Sequence, residues 1–107
     1  MSKLKSISAE DYAACLENIV TYTKYPHSAT VFNALVNLIG LGCGNPETNT
    51  CWSPISEIAC MAHLSESTTK RALATLIDTH WVYRTRRRYK TGVRKTNLYE
   101  LREKVYL

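Results

Sequence analysis

The stretch YRTRRRYKTGVRK, residues 83–95, holds seven lysines and arginines and no acidic residue. Arg84, Arg86, Arg87, Arg88, Lys90, Arg94 and Lys95 can together do one kind of chemistry: they neutralise a dense row of anionic oxygens. A phosphodiester backbone is such a row, and cations laid along it release condensed counterions. A second group lies at Ser65, Ser67, Thr68, Lys70 and Arg71. Its hydroxyls suit phosphate oxygens, and the guanidinium fork matches the O6/N7 edge of guanine. Bond-making chemistry has no comparable support. His27, His63 and His80 lack an evident carboxylate partner, the acidic residues are scattered, and no glycine-rich loop is present to cradle a phosphate. Neither catalysis nor a cofactor is expected.

Cys43, Cys51, Cys60 and His63 could be read as a metal set, but they lack a paired CxxC signature. Cys60 falls in a helical pattern where a small core side chain fits. The N-terminus has no apolar signal region, and no apolar run approaches the roughly 18 residues needed to span a bilayer. Reduced thiols in a cytoplasmic, nucleoid-associated protein are therefore expected, with neither a metal nor a membrane as partner.

The 107 residues suit one compact domain, and 45% hydrophobic with 21% charged residues is ordinary for a globular chain. The net charge of +5 is unevenly spread. Residues 1–54 hold three basic and four acidic side chains; residues 55–107 hold eleven and five. All of the excess positive charge thus lies in the second half, as a polyanion footprint would have it.

The elements that must carry these groups can be read from periodicity. Residues 8–25 open with Ser8 and Asp11, a variant of the capping box, and repeat apolar residues at Tyr12, Cys15, Leu16, Ile19 and Val20. Pro26 is expected to end that helix. Residues 29–41 predict a second helix with a broad apolar face, and 42–51 a loop rich in Gly, Asn, Pro and Thr. Residues 53–62 restart a helix, with Ser53 as cap and Pro54 at the first position. After the break HLS, Ser65 caps a helix with its apolar seam at Thr69, Ala72, Leu73, Leu76 and Ile77. Steps of 100° then put Ser67, Lys70, Arg71 and Ala74 on its far side. Residues 81–88 and 95–101 predict two strands, joined through YKTGVR with Gly92 at the turn. Tyr83, Tyr89 and Tyr99 are expected to pack within that ribbon.

Helix, loop, helix, three-residue turn, helix and basic ribbon make an order that resembles the winged helix-turn-helix domains of phage and plasmid replication initiators and small bacterial regulators. The matching features are CWSPISEIA before the turn, LSESTTKRALATL as third helix and NLYEL closing the wing; together they span about residues 28–102. The chain departs from the pattern at His63 and His80, where glycine is usual. The resemblance implies a mainly α fold with a small β-hairpin wing, residues 1–27 forming an N-terminal helix ahead of the domain at 28–107. That helix either completes the core or forms the seam of a homodimer.

Double-stranded DNA is the implied partner. The third helix would enter the major groove, with Ser67 and Arg71 reading bases and Ser65, Thr68 and Lys70 holding phosphates. Glu66 either accepts from a cytosine amino group or stabilises the first helical turn. The wing residues 84–95 would flank it. With no effector domain evident, transcriptional control by occupying a DNA site is the leading expectation. Recognition of a replication origin comes second, and a protein-interaction or inhibitory module from a mobile element third.

Overall fold

The computed structural model describes residues 9–87 and 96–101. Four helices, α1 (Ala9–Thr23), α2 (Pro26–Gly40), α3 (Ile55–Ala62) and α4 (Glu66–Asp78), accompany a small antiparallel sheet. Its strands are β1 (Gly44–Asn45), β2 (Thr50–Cys51), β3 (Val82–Thr85) and β4 (Leu98–Leu101), in spatial order β1-β2-β4-β3. The fold is mainly helical with a four-stranded sheet.

α2 is the hub. Ser28, Val31, Phe32, Ala34, Leu35, Leu38 and Ile39 are buried along it, more than one amphipathic stripe requires. They pack against α1, α3, α4 and the first two strands. α1 joins the same core through Cys15 and Ile19, and Tyr12 donates a 2.7 Å hydrogen bond to the Asn33 side chain. Ile58 and Ala62 of α3, Leu73 and Leu76 of α4, and Val82, Tyr99 and Leu101 of the sheet belong to the same cluster.

Each of the four helices is followed within two positions by a residue with positive φ: Lys24 (55°), Gly42 (95°), His63 (57°) and His80 (65°). After α3, the Leu64 N–H reaches the Ala59 carbonyl at 3.0 Å and the His63 N–H reaches Cys60 at 3.2 Å. After α4, Trp81 bonds Leu76 at 2.9 Å and His80 bonds Ile77 at 3.1 Å. Both are Schellman stops, which satisfy the last carbonyls of a helix and are commonest with glycine. The two histidines that depart from the winged-helix pattern therefore adopt the backbone conformation that glycine would have supplied.

Three expectations need correction. Residues 42–51 are not a plain loop: they fold as a β1–β2 hairpin, with Gly44 opposite Cys51, and β2 pairs with β4 through Cys51 and Tyr99. The sheet consequently has four strands instead of a two-stranded ribbon. Pro26 does not merely end α1; it opens α2 at its first turn, three residues ahead of the expected start, while Lys24 makes the break. Ser53 does not cap α3: Pro54 holds that position without a side-chain bond, and Ser53 is buried beside the Cys51 thiol. Ser8 lies outside the described residues.

Candidate nucleic-acid interface

α4 starts where its sequence says it should. The Ser65 hydroxyl accepts the Thr68 N–H at 3.2 Å and donates to the Thr68 hydroxyl at 2.9 Å. Thr69 donates from its Oγ1 to the Ser65 carbonyl at 2.8 Å, which lets this polar residue be buried in the seam. Glu66 adds negative charge to the first turn, where the helix dipole favours it. Ser65 and Thr68 are thus bonded to each other as the start of the helix.

Thr69, Ala72, Leu73 and Leu76 are buried against α2, α3 and β3. The opposite surface of α4 presents Ser67, Lys70, Arg71 and Ala74, all exposed. Both expected base readers, Ser67 and Arg71, therefore face solvent. The Arg71 carbonyl accepts the Thr75 hydroxyl at 3.0 Å, a bond that does not involve the guanidinium.

α4 leads into the sheet within three residues. His80 turns the chain, Trp81 is buried, and β3 begins at Val82. The pairing registers Val82 with Leu101, Arg84 with Tyr99 and Thr85 with Leu98. Side chains alternate across a strand. Val82, Tyr99, Leu101 and Cys51 are all buried against the helices, so their face is the inner one. Arg84 shares the parity of Val82, and Arg86 continues it; both are exposed where the ribbon passes beyond the core. Among the described strand positions, no acidic side chain falls on this inner face.

Arg87 differs from its neighbours. Its Nε donates to the Thr96 carbonyl at 3.0 Å and its Nη2 to the Thr96 hydroxyl at 3.2 Å. The same register that pairs Thr85 with Leu98 sets Arg87 opposite Thr96, on the outer face. One arginine of the basic run thus ties the two strands together, while two fall by strand parity on the ribbon's helix-side face. Arg88, Lys90, Arg94, Lys95, Tyr89 and the YKTGVR tip lie outside the described residues.

Of the other candidates, Tyr99, expected to pack within the ribbon, is buried in the main core and accepts from the Asn97 side-chain amide at 3.4 Å. Tyr83 is instead 46% exposed. Trp52 is 41% exposed beside β2. The four cysteines are free thiols, and no cluster among the described residues has the makings of a metal site. Burial pushes the Cys15 thiol up to about 11 and raises that of Cys51 as well. No helix among the described residues is long and apolar enough to cross a membrane.

No family model, curated protein or solved structure matches this chain.

Proposed function

We propose that this chain is a winged helix-turn-helix protein that binds double-stranded DNA sequence-specifically and serves as a transcriptional regulator. One observation carries the reading. α4, whose exposed face carries Ser67, Lys70 and Arg71, packs its buried face on β3, and the helix-side face of that ribbon bears Arg84 and Arg86 and, among the described positions, no acid. Such a pairing suits a duplex: a helix for the major groove and cations for the phosphates beside it. The order of elements supports it too. Two helices separated by three residues are followed directly by an antiparallel ribbon, and a short strand before them closes the sheet.

Arg71 and Ser67 are the readers in this reading, with Lys70, Arg84 and Arg86 on the backbone. Ser65 and Thr68 contribute by fixing where the helix begins. Fluorescence anisotropy against a selected duplex and a scrambled one, at two salt concentrations, tests it. Three to six neutralised phosphates give a log–log salt slope on the order of −3 to −5. Arg71→Ala is expected to cost roughly 1–3 kcal/mol on the selected duplex alone. Arg84→Ala is expected to weaken both duplexes equally and flatten the slope by about one. Feeble binding at every salt, or identical behaviour of the two variants, would refute the assignment.

A further inference from the structure

The sheet has a second face, and its chemistry differs from that of the first. The Trp52 N–H bonds the Cys43 carbonyl at 3.0 Å, so the β1–β2 pairing extends to Trp52. By parity Trp52 therefore stands on the side opposite the buried Cys51. Continuing the strand registers sets Trp52 beside Leu98, and Leu98 is paired with Thr85. A neighbouring row holds Thr50, Glu100 and Tyr83, and on the other flank Arg87 faces Thr96. Trp52 and Tyr83 are 41% and 46% exposed, Leu98 is half-buried, and Glu100 is exposed. Helices α2 and α4 pack against the strands, and the buried strand residues Cys51, Val82, Tyr99 and Leu101 share the other face. An exposed patch of large aromatic and aliphatic groups with few charges is the composition of a protein interface.

We propose that this outer face is a self-association surface, on which a second copy of the chain packs sheet against sheet about a two-fold axis along the Trp52–Leu98–Thr85 row. Charge selects the occupant. Among its described positions the face carries one acid, Glu100, and one base, Arg87, on opposite sides of that row. Each stands two residues along the strand from it, about 7 Å. A two-fold axis along the row lays the Arg87–Thr96 flank of one copy over the Glu100–Tyr83 flank of the other. It does so twice, as an isologous interface requires. Arg87 spends its Nε and one Nη on Thr96, which leaves its other Nη to donate to the partner's carboxylate. Trp52 and Leu98, on the axis, meet their own copies. A polyanion would instead meet Glu100 near the middle of the face, which disfavours it there.

The full-length wild-type chain, free of DNA, answers this directly by sedimentation velocity. The concentration range is about 1 to 500 µM, where a small interface passes from separate to paired. A reversible monomer–dimer equilibrium is expected. R87E sets acid over acid at both contacts and E100R sets base over base, so each alone is expected to weaken self-association at least tenfold. Mixed in equal amounts they regain it, because the heterodimer has opposite charges at both contacts. W52A is expected to weaken pairing without rescue by either. A wild-type chain that stays monomeric throughout overturns the proposal, as does unchanged dimerisation of both charge variants. A monomer whose Trp52 fluorescence is quenched by single-stranded oligonucleotide also overturns it, and assigns the face to nucleic acid. None of these outcomes depends on whether α4 reads a duplex.

Discussion

At the scale of single residues, side chains of one type have been put to different uses by a one-residue step along a strand. Arg86 and Arg87 are adjacent in a basic run that reads as uniform, yet one projects with the inner face and the other bonds Thr96 across the ribbon. For the duplex binding proposed above, Arg87→Ala is accordingly expected to leave the salt slope nearly intact where Arg84→Ala lowers it; titration of both variants over a salt series checks this. The histidines at the helix ends carry a separate consequence. A non-glycine residue held at positive φ costs on the order of 1 kcal/mol, although histidine tolerates it better than most. His63 and His80 are both exposed, so little packing is lost on removing the imidazole. His63→Gly is expected to stabilise the fold by about 0.5–1 kcal/mol in urea denaturation. A loss of stability would mean that the imidazole makes a contact worth more than the strain.

Among elements, the β1–β2 hairpin is the least legible in the sequence and is tightly constrained. Its strands are two residues each, too short for alternation to be visible, and Gly, Asn and Pro obscure them. Tertiary pairing sustains it: Leu101 donates to the Asn49 carbonyl at 2.9 Å, and Cys51 pairs with Tyr99. Gly44 is the position that the pairing needs bare, because a Cβ there would be driven into the Thr50 carbonyl oxygen and lie 2.9 Å from Ile39. Gly44→Ala is expected to cost about 1–3 kcal/mol by overpacking, measured by thermal or urea unfolding. The helices were far more legible. The α4 seam at Thr69, Ala72, Leu73 and Leu76 and its solvent face at Ser67, Lys70 and Arg71 both follow from the 3.6-residue period, and Ser65 caps as its type suggests. Caps and stops are less legible, since Pro26 and Ser53 each have a second role that only packing decides.

For the molecule as a whole, α1 belongs to the same core as the rest. Ile19 is fully buried, and the Cys15 thiol is held up near 11 by burial. The periodicity of residues 12–20 showed that α1 has a sticky face; it did not show what the face meets, because periodicity carries no address. Ile19→Ala is expected to cost about 2–5 kcal/mol. The loss should fall on one cooperative transition, with helical and tryptophan signals moving together; two separate transitions would make α1 an independent appendage. The charge asymmetry between the two halves was legible from the start, and it coincides with the arrangement: the apolar hub is built largely from the first half, and the cationic surfaces are on α4 and β3.

The central place of α2 also fixes a hierarchy in time. Helix amides enclosed on several sides open only when everything around them opens, so the backbone of residues 31–39 should exchange its hydrogens for deuterium last, at a rate reporting global unfolding. Amides along β3 and β4 toward the ribbon's far end have no such enclosure and should exchange by local opening, well before the hub does. A ligand gripping α4 and the ribbon would then slow exchange at the periphery first, so the footprint of a bound duplex could be traced on the protein even while its base sequence is still unidentified.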